Sequence, residues 1–475
     1  MTWQFPRSTP ETQGIPSHTI VAFLDHARKL RDLHSFMLVR HGHVIAEGWW
    51  QPYAADQVHY LYSISKSFTS TAIGMAIAEG KLQLDDPVIS FFPQQAPSDP
   101  SPELASMTVR HLLTMSTGHL SNSKLTLMEA ADGDWVSAFF RHPIECQPGT
   151  RFFYTSAATY MLSAIFHAVM GQDILAYLQP RVLDPIGITD ATWDRCPRGL
   201  SVGGWGLSLS TESIARFGQL YLQNGQWQGQ QLVPSDWIAQ ATSYQIDCSE
   251  DREYPDWQQG YGYQFWCSRH NSYRADGAFG QFCLVLPDQD MVIVFTSALV
   301  ETHPLLDLVW QYLLPQCSDT SLPEDTASQH ALQQALSSLA IQPIRGSRQG
   351  RYTHFTIQAE PNPMGLQQVR LQTTEQGYQL HIQSTAGAET LELGFGQWSY
   401  GDLQFQLIEP SSVVVAAGAW LSENEFAADI CHYRSAYRNT LRIRFTPEWV
   451  LMWWESNVSL VEGETLTIYG KLISH

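Results

Sequence analysis

Apolar residues in "SHTIVAFLDHARKL" (17–30) recur at helical spacing behind a serine, which predicts a first helix capped by Ser17. The next stretch, "SFMLVRHGHVIAEGWW", is two short β-like runs joined through Gly42, a hairpin. The pattern then changes. In "LYSISKSFTSTAIGMAIAEGKL" (61–82), small or apolar residues occupy nearly every side of a helix expected from Ser65 to about Glu79. Phe68, Ala72, Ile73, Met75, Ala76 and Ile77 are among them. A helix with no polar face belongs in the middle of a large domain, and Gly80 ends it in the C′ position.

From about residue 85 to 250 the chain reads as helix and loop, punctuated by "QPGT", "DPIG" and "VGGWG". Three strand candidates follow in close succession, "YGYQFWC", "FGQFCLVLP" and "MVIVFTS", and lead into the helix "PLLDLVWQYLL". A helix and hairpin at one end, strands and a helix at the other, predict an α/β (α+β) domain over residues 1–316. Its sheet is antiparallel, assembled from both ends of the segment and flanked by helices, with a mostly helical subdomain inserted. Residues 317–346, opening on "CSDTSLPEDTASQ", read as a linker with a short helix, "HALQQALSSLA". Over 347–475 the pattern alternates, as in "QQVRLQTT", "YQLHIQS" and "TLRIRF", which predicts a separate all-β module, a barrel or sandwich. The tryptophans of "EWVLMWWES" are read as core or domain interface.

Composition narrows the function. The chain has 475 residues, enough for two or three domains. Lys+Arg total 27 against 46 Asp+Glu, a net charge of −19, and no basic run occurs. Nucleic acid and anionic membrane, which need a cationic footprint, are therefore not expected partners. No basic-then-apolar leader opens the chain and no window approaches about 18 apolar residues. The seven cysteines are scattered, with no C-x-x-C, which points to a reducing, cytoplasmic setting without disulfides or a zinc site. The histidines, His59 and His119 among them, show no ligand spacing, so neither metal nor cofactor is expected.

Two residues carry candidate chemistry. A serine hydroxyl needs a neighbouring base to attack at neutral pH. Ser63 and Lys66 stand at i and i+3, on one face of the helix start. Apolar surroundings disfavour a charged ammonium, which suits Lys66 to accept a proton. The helix N-terminus offers N–H groups to a developing oxyanion. S-x-x-K alone is weak, and the chain holds a second copy, Ser121 to Lys124, in a polar stretch that reads as loop. A rival nucleophile, Ser201 in "GLSVG", matches G-x-S-x-G but lacks the preceding apolar strand and following helix which that elbow requires.

With "YSISKSFTSTAIGMAIAEGKLQLDDPV", the segments "MTVRHLLTMSTGH", "QPGTRFFYTSAATYMLSAI", "VLDPIGITDATW" and "GGWGLSLSTESIARFGQLYL" stand in the order found in β-lactamase-related serine hydrolases. That superfamily includes class C β-lactamases, D,D-peptidases, esterases and 6-aminohexanoate-dimer hydrolases, and the resemblance runs from about residue 10 to 315. It implies a β-lactamase/D,D-peptidase-like fold in which Ser63 is the acyl-accepting nucleophile and Lys66 its proton partner. Tyr154, in "FYTS", falls at the family's Tyr-x-Asn motif, where a phenolate favoured by a nearby lysine would shuttle the proton to the leaving group. Ser156 replaces the asparagine. Ala275-Asp276-Gly277 stands where the family has Lys-Thr-Gly or His-x-Gly, with Gly280 fitting a following glycine. The Ser63 and Ala278 N–H groups then form the oxyanion hole, and Ser156, Asp276 and Gly277 are substrate-binding candidates. No cation stands at position 275, and Asp276 would repel an anion unless Arg274, on the same face by alternation, neutralises it. The expectation is a hydrolase of a small ester or amide acting through an acyl-enzyme, and not an efficient β-lactamase. A non-catalytic binding or assembly module on the same fold is the alternative.

Overall fold

The computed structural model describes residues 3–121, 127–250, 252–405, 412–460 and 466–475. The chain forms two compact units. The first is Met1–Gly48, Ala55–Ser297 and Glu301–Ser338; the second is Trp49–Ala54, Ala298–Val300 and Leu339–His475.

The first unit is built on a six-stranded sheet. Its strand order is His43–Trp49, Leu33–Arg40, Met291–Ser297, Gln281–Leu286, Ser272–Gly277 and Trp266–Ser268. The N-terminal hairpin thus lies beside the C-terminal strands, with antiparallel registers such as Phe36↔Phe295 and Phe282↔Phe295. Its turn, His41-Gly42, has positive φ at both residues (48° and 70°), as a two-residue hairpin requires. Side chains alternate between faces. Phe36 and Phe295 meet Phe23 of the helix Ser17–Ala27, with ring centroids 5.6 and 5.9 Å away. Val292 and Cys283 face Gly218 of the helix Thr211–Leu222, where a Cβ would stand 2.6 and 2.7 Å from them. Because both faces are covered, Leu33–Arg40, Gln281–Leu286 and Met291–Ser297 are buried at every position. Their central residues, 36–39, 282–286 and 291–295, read as continuous apolar runs, without alternation.

Three local expectations are corrected. Ser17 begins its helix without capping it; Glu11 supplies the acceptor, taking the Ser17 N–H at 2.6 Å and its hydroxyl at 3.0 Å. Of "YGYQFWC" only the end joins the sheet, because Gln264 sits at φ 66° and breaks the extended run. The helix expected from "HALQQALSSLA" starts earlier, at Thr326, since Asp325 caps it by accepting from Ser328 N–H at 3.0 Å. It belongs to the first unit, where Arg28 Nη2 donates to Ala335 O (2.7 Å) and Gln329 Nε2 to Glu11 Oε2 (2.9 Å).

The second unit is a closed barrel. Nine strands run from Gly387–Gly394 through Gly377–Ser384, Leu366–Thr373, His354–Ala359, Thr467–Ser474, Val450–Ser456, Arg438–Phe445 and Glu425–Cys431 to Val413–Ser422. The parallel bridge Gly394↔Ala417 closes the ring, and Ser399–Asp402 adds to the edge of Val413–Ser422. Closure removes exposed strand edges. With one face inside, strands such as Gly377–Ser384 alternate buried and half-buried positions. Trp454 packs against the barrel core, while Trp449 and Trp453 are half-buried.

Candidate active site

The helix Ser65–Ala78 is buried at every position as far as Ala76, yet much of its surface is hydroxyl. Three of its five hydroxyls are matched by loop carbonyls. Ser67 Oγ donates to Gln264 O (2.8 Å), Ser70 Oγ to Tyr263 O (2.7 Å) and Thr69 Oγ1 to Gly203 O (2.9 Å). An unpaired buried hydroxyl costs about 1–3 kcal/mol, so these bonds fix the loops against the helix. Phe68 stacks on Phe217 (3.8 Å), and a Cβ at Gly74 would stand 2.2 Å from the Trp237 ring. The helix therefore cannot rotate or slide, and its first turn is held in place.

That first turn carries Lys66, 1 % exposed. Its Nζ lies 3.2 Å from Ser63 Oγ, 2.8 Å from Ser156 Oγ and 2.6 Å from Gly204 O. Ser156 opens the helix Ser156–Met170, and Gly204 packs so closely on it that a Cβ would stand 2.8 Å from Ser156 O. The Tyr154 hydroxyl shares a hydrogen bond with Ser63, and Lys66 Nζ is 5.0 Å from the Tyr154 ring centroid. Burial pushes the Tyr154 phenol well up; the Ser63 hydrogen bond and the positive charge of Arg252 and Arg274 pull it down without prevailing. Burial thus favours the phenol form of Tyr154.

The other wall is the end of the strand Ser272–Gly277. A Cβ on Gly277 would stand 2.3 Å from Leu61 O, so this strand end abuts the turn before Ser63. Ala278, Phe279 and Gly280 form the hairpin turn, with φ 67° at Phe279 and 83° at Gly280. Gln281 Nε2 donates to Ala278 O (2.9 Å), while Ser297 Oγ donates to Phe279 O (2.7 Å) and Gly280 O (2.9 Å). Tyr62, immediately before Ser63, also has positive φ (50°). Such a non-glycine conformation costs on the order of 1–3 kcal/mol and persists only where packing imposes it. Here the Tyr62 ring meets Phe279 edge-on at 5.3 Å and Tyr60 at 5.0 Å. The two segments that bear the Ser63 and Ala278 amides are thereby clamped together.

Asp276 lies beside this turn, and Arg274 Nε donates to its Oδ2 at 2.9 Å. Arg274 is 0 % exposed on its side chain, Asp276 13 %. Burial pushes the Asp276 carboxyl up against the opposing pull of Arg274. Arg274 and Asp276 thus share one face of the strand, two residues apart. Around it stand aromatic rings: Trp266 stacks on Tyr154 (5.6 Å), and Tyr261 and Phe152 flank both.

The remaining candidates sit elsewhere. Ser201 is buried, with its hydroxyl on Asp173 Oδ1 (2.9 Å) and its N–H on Oδ2 (2.8 Å), so it is locked as a structural residue. Ser121 is exposed, and Lys124 lies outside the described residues. His59 pairs with His34 at 2.9 Å, and burial holds His119 down at about 4. Among the described residues no His, Cys, Asp and Glu group could hold a metal, no disulfide joins the cysteines, and no single helix is long and apolar enough to cross a membrane. Sequence reasoning missed the Gly204 carbonyl, the Gln281–Ser297 support and Arg252. Only the doublet Gly203-Gly204 hinted at the first, since a glycine pair permits close backbone approach.

Three comparisons bear on this site. The Beta-lactamase family model matches residues 31–316. The chain is 26% identical over 287 residues to the 6-aminohexanoate-dimer hydrolase of Paenarthrobacter ureafaciens, covering 56% of this chain and 72% of that protein. It is 27% identical over 170 residues to the lovastatin esterase of Penicillium rubens, covering 31% of this chain and 42%, less than half, of the esterase. Among solved structures, the octameric penicillin-binding protein homologue from Pyrococcus abyssi aligns over 96% of this chain and 99% of its own. The TM-score is 0.50 and the identity 16%, a likeness of fold alone.

Proposed function

The chain belongs to the β-lactamase family, and from that membership we propose that it is a serine hydrolase cleaving an ester or amide through an acyl-enzyme on Ser63. The observation that carries the reading is the single cluster of Ser63, Lys66, Tyr154 and Ser156 around one buried amine. The hydrolase and esterase among its relatives support the same class of reaction.

The contacts of Lys66 suit both ends of a proton transfer. As an ammonium it donates to all three oxygens around it. As a free amine it keeps two N–H bonds. One is required by the Gly204 carbonyl, which can only accept; the other goes to Ser156, and the lone pair turns to the Ser63 hydroxyl. Ser63 Oγ then attacks the substrate carbonyl while its proton passes to Lys66. The Ser63 and Ala278 amides stabilise the negative oxygen. Tyr154, held as a phenol, gives its proton to the leaving group and is reprotonated from Lys66. Water enters, attacks the ester on Ser63, and releases the acyl group with the proton movements reversed.

Ala275 and Asp276 in the third motif set the family's usual anion-holding position aside, so β-lactams are poor substrates in this reading. The test is labelling with a fluorophosphonate and location of the adduct by mass spectrometry. Adduct on Ser63, abolished in Ser63→Ala, is expected; a protein that stays unlabelled favours the binding-module alternative over this reading.

A further inference from the structure

Arg252 belongs to no motif and takes no part in the steps above. Its guanidinium carbon lies 5.5 Å from the Trp266 ring centroid and 5.8 Å from that of Phe152, the two rings that flank Tyr154. Among the described residues its side chain makes no hydrogen bond or ion pair. Three acids of this region are engaged elsewhere: Glu250 accepts from Arg151 Nε at 3.0 Å, Asp256 from Arg269 Nη2 at 2.7 Å, and Asp276 from Arg274.

A second guanidinium shares the same ring. Arg274, fully buried, lies 5.7 Å from the Trp266 centroid and 4.5 Å from that of Trp257. Its Nη2 has no hydrogen-bond partner. Trp266 is thus contacted by two arginines, one of them held from behind by Asp276. Both act electrostatically on the Tyr154 hydroxyl and on Asp276. Asp276 opposes them at the Tyr154 hydroxyl. An arginine resting on aromatic faces is pre-ordered and weakly hydrated, which favours planar, two-pronged binding of a carboxylate.

We propose that Arg252 is the anion-recognising residue of this site and selects ester or amide substrates that carry a carboxylate several bonds from the scissile carbonyl. The carboxylate lies over the Phe152–Trp266 side while the carbonyl lies at Ser63. The identity of the ligand as a substrate rests on the serine-hydrolase reading; the anion site itself does not.

Binding is measured in the full chain carrying Ser63→Ala, by calorimetric titration with monomethyl glutarate, a monoanion, and dimethyl glutarate, its neutral counterpart. The monoanion is expected to bind about tenfold or more tightly than the diester. Adding Arg252→Gln brings the ratio towards one, Arg252→Glu inverts it, and Arg252→Lys keeps part of it. Salt at about 0.5 M reduces it, as expected of a partly exposed charge. Absence of monoanion binding, equal affinities, or a preference that survives Arg252→Gln and Arg252→Glu would overturn the proposal. Methanol release from monomethyl glutarate by the unsubstituted protein, lost in Ser63→Ala, is followed separately. Arg252-dependent binding without release leaves the anion site standing and sinks the hydrolase reading; release without charge preference does the reverse.

Discussion

Replacing Gly277 by alanine adds one methyl group between the two segments that bear the oxyanion amides. The backbone of Gly277 is not in the left-handed region, so alanine meets no torsional penalty there and only space is at issue. The new Cβ would stand 2.3 Å from Leu61 O and 3.0 Å from Gln281 Cβ, against ordinary contacts that begin at 3.4 Å. Neither neighbour yields easily. Leu61 is held by its N–H on Leu207 O (2.9 Å) and by Ile64 N–H on its own carbonyl (3.2 Å); Gln281 is tied to Ser297. The strand end and the turn before Ser63 must therefore part by about 1 Å, a displacement that costs roughly 10²-fold in rate where reacting groups are pre-positioned. Loss of one oxyanion donor costs about 10²–10³-fold, or ~3–4 kcal/mol, which sets the upper end. Steady-state hydrolysis of p-nitrophenyl butyrate should show kcat reduced about 100-fold with a smaller change in KM, and fluorophosphonate labelling should slow in parallel. A Gly277→Ala protein with native circular dichroism and kcat within about threefold of the parent would refute the clamp between these segments.

Two further outcomes are expected. Arg274→Met leaves the largely buried Asp276 without its cation, and breaking a fully buried pair costs about 3–5 kcal/mol, which sets the upper end here. Because burial raises the Asp276 carboxyl in the folded state, its stabilising state is the protonated one: the deficit is smallest below the usual carboxylate range and grows as pH rises through the raised value. Melting temperatures of Arg274→Met should therefore fall further behind the parent at pH 8 than at pH 5, and adding Asp276→Asn should remove that pH dependence; a deficit independent of pH would contradict it. Penicillin turnover should be slow or absent, and a kcat/KM of about 10⁴ M⁻¹s⁻¹ or more would sink the interpretation of Ala275 and Asp276.

Much of the fold was legible because burial imposes pattern. The doubly covered sheet wrote itself as unbroken apolar runs, and the one-sided barrel strands as alternation. Ser65–Ala78 was recognisable as a buried helix from its small residues, although what makes it buried is as much its hydroxyls as its methyls. Ser63 and Lys66 were legible from local spacing, and Tyr154 and Ser156 from a resemblance. The third acceptor for Lys66 was not legible. A carbonyl is common to every residue, and Gly204 lies 138 positions along the chain from the lysine it contacts. The same holds for Tyr62: nothing in its side chain announces a positive φ, which packing against Phe279 imposes. The Asp276–Arg274 pair could be foreseen because strand alternation is a local rule, whereas Arg252 over Trp266 could not, because a loop has no period.

The barrel's boundary has a consequence for how such a protein could have been assembled. Its strands all come from after Leu339, but Trp49–Ala54 and Ala298–Val300 belong to the same unit. Gln51 exchanges backbone hydrogen bonds with Leu339 O (3.2 Å) and Ile341 N (2.7 Å), and the Tyr53 hydroxyl donates to Ser435 O at 3.2 Å. The second unit is therefore no detachable cassette. A transplant of the barrel to another relative must carry those two short segments with it.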